Sequence, residues 1–220
     1  MKKVKQTPVE IKIGEKICKI PLSWDDINLR QYMKLITFDN YNDVKFLSIM
    51  LDVSEEEIKE SEIADLDLIV YPLLGWYADD KADDFGKRMS SGLRIKEVTI
   101  SGKVVKVPED IRMKTFGQKI SCEQSLESNQ KNPLLAIPDI IAIYLYPEFS
   151  EEKYDYEKSL IFRDEYILLM PIKYAYPIGR FFLMTLKELL SKKLNIWAEV
   201  VPKKKLELIS KNLINLNILK

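Results

Sequence analysis

The chain has 220 residues, 46% of them hydrophobic, which suits a folded protein and is too apolar for a disordered one. Lys plus Arg and Asp plus Glu number 34 each, so the net charge is zero; this argues against a dedicated nucleic-acid binder, because phosphate affinity draws on uncompensated cations. There is no histidine and there are two distant cysteines, Cys18 and Cys122, which excludes histidine-based nucleophile pairs and a disulfide framework within this sequence.

Both thiols read as reduced, small apolar residues of a cytoplasmic protein. No apolar run approaches the roughly 20 residues that cross a bilayer. The start, MKKVKQTPVEIKI, carries charge with no apolar segment behind it, so it does not read as a signal peptide.

Val9, Ile11 and Ile13 alternate with polar residues and predict a strand. Gly14-Glu15 turns, Lys16 to Ile20 returns, and Pro21 ends pairing. Ser23-Trp24-Asp25-Asp26 predicts a helix entrance, with Trp24, Ile27, Tyr32, Leu35 and Ile36 on one face. A second helix is expected from Asn42, with Val44, Leu47, Met50 and Leu51 inward. Ser54-Glu55-Glu56-Glu57 is a capping box for a third. From Asp65 the apolar residues Leu66, Ile69, Val70, Leu73, Leu74 and Tyr77 follow the helical period, and Pro72 must kink or restart that helix.

Residues 78–92 are polar, contain Gly86 and Gly92, and read as a mobile joint. A second hairpin follows, turning at Ser101-Gly102. A helix is expected over Glu109 to Ile120, while Ser121 to Asn132 stays undetermined. Pro138 suits the first turn of a helix carrying Ile140, Ile141, Tyr144 and Leu145. Pro147 is expected to end it and Ser150-Glu151-Glu152 to start another. After Met170-Pro171 comes the longest amphipathic stripe: Ala175, Tyr176, Gly179, Phe182, Leu183, Leu186, Leu189 and Leu190. Trp197, Val200 and Val201 read as a short strand or connector, and Leu206, Ile209, Leu213 and Leu216 as a terminal helix.

Four landmarks occur twice in the same order. The hairpin ending Lys19-Ile20-Pro21 returns 87 positions later as Lys106-Val107-Pro108, and Gln31 and Gln118 share that register. Leu51 with Ser54-Glu55-Glu56 is echoed by Leu145 with Ser150-Glu151-Glu152. Tyr71-Pro72-Leu73-Leu74-Gly75-Trp76 is echoed by Tyr176-Pro177-Ile178-Gly179-Arg180-Phe181. The expected fold is therefore α+β and mostly α: two similar β-hairpin-plus-helices halves, residues 1–92 and 93–220, packed as a pseudo-twofold duplicate over one shared core. The second half carries a helical C-terminal extension. The Pro and Gly of the last landmark would let two helices bend and approach closely at the axis.

Chemistry is sparse. Asp79-Asp80 and Asp83-Asp84 lack the oxygen spacing and glycine of a calcium loop. Scattered glycines form no phosphate cradle. Asp25, Glu151 and Arg163 stand in no catalytic pattern, and Lys203-Lys204-Lys205 reads as a solvated helix start. No cofactor, metal or catalytic residue is expected. Tyr146, Phe149, Tyr154 and Tyr156 cluster around a turn, with core packing as one use and an exposed anchor for a partner as the other.

The run Ile20-Pro21-Leu22-Ser23-Trp24-Asp25-Asp26-Ile27 with Gln31-Tyr32, then Leu47-Ser48-Ile49-Met50-Leu51, resembles proteins from the structural modules of tailed bacteriophages. Phe116-Gly117-Gln118, Ile141-Ala142-Ile143-Tyr144-Leu145 and Gly179-Arg180-Phe181-Phe182 extend the resemblance over residues 9–185. It implies a non-enzymatic virion component or assembly factor, found in the virion or the host cytoplasm. Its expected partners are other phage structural proteins and further copies of itself; no membrane is expected. The alternatives are a tail-assembly chaperone not retained in the particle and a nucleic-acid-associated accessory factor using Lys203 to Lys205 and the basic start.

Overall fold

A computed structural model describes residues 9–38, 42–62, 66–79, 85, 94–109 and 115–200. The fold is α+β and mostly α, with two separate antiparallel two-stranded sheets among helices. The chain divides into two compact units, residues 1–91 with Pro171–Lys173, and residues 92–170 with 174–220.

Unit 1 opens with β1 (Val9–Ile13) and β2 (Lys16–Ile20), paired Val9 to Ile20 through Ile13 to Lys16. Gly14 takes the positive φ, +57°, that the tight turn demands. Alternation puts Ile11, Ile13, Cys18 and Ile20 inside and leaves Ile17 exposed. Next comes a correction. Ser23 does cap, accepting from Asp25 N at 3.2 Å, but the cap opens only a 3-10 turn, Trp24–Asp26. The Asp26 carboxylate folds back onto Leu22 N and Ser23 Oγ, and Ile27 goes extended. The α-helix α1 (Leu29–Ile36) begins afresh behind Asn28.

That restart is a reciprocal capping box: Gln31 N donates to Asn28 Oδ1 at 2.9 Å and Asn28 N to Gln31 Oε1 at 3.0 Å. The expected helix behind Asn42 is α2 (Asp43–Leu51). It closes on Asp52 in the left-handed region, with Val53 N reaching Ser48 O at 3.1 Å. The Ser54 capping box forms as expected and starts α3 (Glu55–Lys59). Pro72 restarts its helix: a π-helical turn, Leu66–Val70, precedes α4 (Tyr71–Leu74), and α5 (Trp76–Asp79) follows. Trp24 centres the core, stacked on Phe85 at 4.7 Å and edge-on to Trp76 at 5.3 Å; the Trp76 indole donates to Pro21 O at 2.9 Å.

Unit 2 opens with β3 (Glu97–Ile100) and β4 (Lys103–Lys106). Here both turn residues, Ser101 and Gly102, have positive φ. Val98, Ile100, Val105 and Val107 are buried, and Val104 is exposed. The helix expected from Glu109 instead begins at Phe116, behind the Thr115 cap, and runs to Ser128 as α6, so Ser121 to Ser128 is helical. Then α7 (Ile137–Ser150) carries Pro138 in its first turn, as expected.

Pro147 does not end α7; the helix passes through it to Ser150. A proline leaves the carbonyl four residues back without its helical donor. Here Gln118 Nε2 supplies one, reaching Ile143 O at 3.2 Å. Ser150 correspondingly starts no helix: it ends α7, Glu151 takes the left-handed region, and α8 (Tyr156–Phe162) begins behind Asp155. A π-helical turn, Arg163–Ile167, follows, and Met170-Pro171 breaks the chain as expected. The last described helix, α9 (Ile172–Val200), buries Ala175, Tyr176, Gly179, Phe182 and Leu186. Trp197 and Val200 thus lie in helix, not in a strand or connector. The terminal helix, the two Asp pairs apart from Asp79, the Lys203 run and most of the 78–92 joint lie outside the described residues.

Of the two landmark glycines, Gly179 is the more crowded. A Cβ there would come within 3.2 Å of Ile137 Cβ and Cγ1, and closer to Cγ2, all inside unit 2. Gly75 would meet only Pro72 O at 3.3 Å, so the close approach expected of both belongs to one.

Two measurements follow from these contacts. Gln118→Ala should destabilise the protein by about 2 kcal/mol, through the orphaned Ile143 carbonyl and the lost cap. In a Pro147→Ala background the cost should shrink by about 1 kcal/mol, because the restored N–H at 147 serves that carbonyl. Urea unfolding of the four proteins tests this, and strict additivity would refute it. The second concerns Glu57, which Lys16 at 2.9 Å and the Ser54 amide hold from an ordinary 4.5 down to about 2. Its stabilisation is present above pH 4.5 and is lost as pH falls toward 2. Melting curves of the protein and Glu57→Gln should differ near neutrality and converge at the acid end.

Candidate interaction site

The four tyrosine and phenylalanine positions singled out above lie within unit 2, around the end of α7. Tyr146, 6% exposed, faces inward, with its ring centroid 6.0 Å from Phe162. Its hydroxyl donates to Glu152 Oε2 at 2.8 Å, and Lys158 Nζ reaches the same oxygen at 2.7 Å. The ammonium and the phenol together hold the Glu152 carboxyl below its usual range, while burial and that carboxylate push the Tyr146 phenol up. Phe149 lies 4.9 Å from Phe162 and 5.3 Å from Tyr166, making one aromatic layer with Tyr146. Tyr156 is the most exposed of the four, at 44%.

Tyr154 sits between two cavities. Its ring lies 3.6 Å from where a Gly117 Cβ would stand, so a bare helix start forms its seat. Its hydroxyl is enclosed and faces Ser121 and Ser159 without reaching hydrogen-bond geometry with either; burial pushes the phenol up. Those two serines line a chamber of about 90 Å³ together with Ser125 and Asp139. Asp139 is fully engaged, accepting from Ser125 Oγ at 2.7 Å and from Arg163 at 2.8 Å.

The larger cavity is a groove of about 770 Å³ between the start of α6 and the end of α7. Thr115, Gly117 and Gln118 form one wall, Pro147 and Glu148 another. The link after α7 closes it with Glu151, Glu152, Lys153 and Tyr154. Glu151 is paired with Lys103 at 2.8 Å, and Lys103 also donates to Phe149 O at 2.6 Å. Phe116 stands 71% exposed on the first turn of α6.

The described carboxylates whose pKa moves, Glu57, Glu151 and Glu152, all move down and are ionised at neutral pH. Among the described residues no cluster of three metal-ligating side chains forms. Of the residues weighed for catalysis, Asp25 lies 3.6 Å from Lys173, Glu151 binds Lys103, and Arg163 is held between Asp139 and Asp164. Burial lifts the Cys122 thiol to about 12, which keeps it protonated.

The groove itself was not anticipated. Its readable signal was Thr115-Phe116-Gly117-Gln118, a capping box with a bare second position, followed far along the chain by a proline in a helix. No family model, no curated protein and no solved structure matches the chain. Among the described residues no helix is long and apolar enough to cross a membrane.

Because the enclosed Tyr154 hydroxyl has no partner, removing it should cost nothing. Tyr154→Phe is expected to melt at the same temperature as the parent or higher, by up to about 1 kcal/mol of stability. A clear drop in melting temperature would show that the hydroxyl is satisfied after all.

Proposed function

We propose that this chain is a non-enzymatic structural or assembly protein of a tailed bacteriophage, acting through contacts with other phage structural proteins and with copies of itself. The observation that carries the reading is the groove beside Thr115. Its floor combines glycine, proline and a tyrosine ring, its rim carboxylates pair with lysines, and an exposed phenylalanine stands next to it. A paired polar rim around an apolar floor is the anatomy of a protein contact surface. No cofactor is assigned, and the virion or host cytoplasm is the proposed location.

The same proposal includes internal duplication of a hairpin-plus-helices half, residues 1–92 and 93–220, packed about a pseudo-twofold axis. Local geometry within each unit supports the duplication. The inward residues Ile11, Ile13, Cys18 and Ile20 stand 87 positions before Val98, Ile100, Val105 and Val107. At that spacing too are the caps Asn28 and Thr115, and their glutamines Gln31 and Gln118. Gln31 Nε2 donates to Ile49 O and Met50 O at the end of the next long helix, and Gln118 Nε2 to Ile143 O, in the middle of the next long helix where Pro147 leaves that carbonyl free. The third landmark fits less well, since Ser54 starts a helix where Ser150 ends one.

Quantitative mass spectrometry of purified particles, set beside the lysate of infected cells, decides the matter. A fixed copy number in the particle is expected of a virion component. Stable association with a phage structural protein in the lysate, with none in the particle, would make it a chaperone. Association with no phage structural protein at either stage would overturn the proposal.

A further inference from the structure

The backbone ahead of α1 has an occupant in unit 1. Ile27 and Asn28 are extended, and Pro171 lies beside Asn28 in an antiparallel bridge. Ile172 N donates to Ile27 O at 2.8 Å, and the Ile172 side chain is fully buried. Lys173 Nζ stands 3.6 Å from Asp25. Three consecutive residues thus provide an extended backbone, an apolar anchor and a cation set against a carboxylate.

Thr115 holds the corresponding place in unit 2. It caps α6 from an extended conformation (φ −136°, ψ 153°), with its glutamine three residues on, 87 positions after Asn28. No described residue bridges to it as Pro171 does to Asn28. The groove lies there instead. We propose that this groove takes a short extended segment of a partner protein, with a proline or similar backbone, then a β-branched apolar residue, then a lysine or arginine.

Two features favour that occupant. Proline and β-branched residues favour extended backbone, so a segment of this kind docks with little ordering cost. The charge is also compatible: among the described lining residues Glu148, Glu151 and Glu152 stand with Lys153, while Lys103 pairs with Glu151 and Lys158 with Glu152, so the segment's cation would share a carboxylate that already has one lysine. The Glu151 side chain remains 78% exposed in its pair with Lys103, so its carboxylate has lone pairs left for a second cation. The choice of segment rests on the duplication proposed above; the groove and its charge do not.

The probe is a fluorescein-labelled peptide copying residues 168–174, Leu-Leu-Met-Pro-Ile-Lys-Tyr, titrated with the full chain and read by anisotropy. Saturable binding is expected, weakened at least fivefold when the peptide's Lys173 becomes glutamate or when the protein carries Glu148→Lys with Glu151→Lys. Gly117→Trp, which fills the groove, should abolish it while circular dichroism stays unchanged. Asp25→Lys, at the occupied place in unit 1, should leave it intact. Absence of binding at millimolar protein, indifference to the Glu148/Glu151 reversal, or loss with Asp25→Lys alone would each overturn the inference. Failure of the duplication is read separately, as hairpin and helix frameworks that do not superpose in an experimental structure.

Discussion

Each unit depends on a buried glutamine amide that works in two directions. The oxygen of Gln31 accepts from its own helix cap, Asn28 N, while its nitrogen reaches the carbonyls of Ile49 and Met50. Gln118 divides its amide in the same way between Thr115 N and Ile143 O. A helix leaves donors orphaned at its start and acceptors at its end, and burial makes each orphan costly. One side chain with both functions settles a helix start together with a freed carbonyl of the next helix, at its end for Gln31 and at the proline gap for Gln118. It also fixes how the helix it begins lies against the next, because an amide hydrogen bond tolerates little change in distance or angle. In each unit the second hairpin strand packs on the helix so held, β2 on α2 and β4 on α7. Packing of the hairpin's apolar face therefore rests on that hydrogen bond.

The same logic explains which elements could be read from the sequence. Alternation and turn glycines made both hairpins plain, and Asn42, Ser54 and Pro138 announced their helices, because those signals act over three or four residues. Ser23 misled because its capping oxygen serves a turn, and the competing Asp26 carboxylate holds the chain there until Asn28. Pro147 misled because the local rule, that proline ends a helix, is relieved by a donor 29 positions away in the sequence, Gln118. Ser150 followed from that error: once α7 runs through Pro147, Ser150 is its last residue; its Oγ donates to Tyr146 O and accepts from Glu152 N, but Glu151 in the left-handed region ends the helix and none begins there. The Pro147 reading failed because a long-range hydrogen bond overrode a local preference, and the Ser23 reading because a neighbouring carboxylate competed with the cap.

The aromatic cluster shows the same limit at the candidate site. Sequence placed Tyr146, Phe149, Tyr154 and Tyr156 together but could not sort them. The sorting is done by hydrogen-bond partners. Tyr146 finds Glu152 and turns inward, Phe149 needs no partner and stacks, and Tyr154 seats its ring on Gly117 at the groove. Of the four, Tyr156 keeps the most contact with water, at 44% exposed. A tyrosine's phenol tip makes its burial a question of what lies opposite, which spacing along a chain does not encode.

On the duplication reading, the differences between the units carry as much meaning as their agreements. Their shared framework is the set of positions that cannot change singly: inward hairpin residues, the caps and the bifunctional glutamines. The differences gather at helix ends. Ser54 opens α3 where Ser150 closes α7, a Cβ at Gly75 would meet one backbone oxygen where one at Gly179 would run into the Ile137 side chain, and Asn28 has Pro171 beside it where Thr115 has the groove. Helix ends are where a copied module can diverge without losing its core, since their orphan groups accept water, side chains or another chain. A cap whose neighbouring space is filled within its own unit is committed to the fold. A cap that faces a groove of the same ancestry is the place where such a module is free to take up a partner.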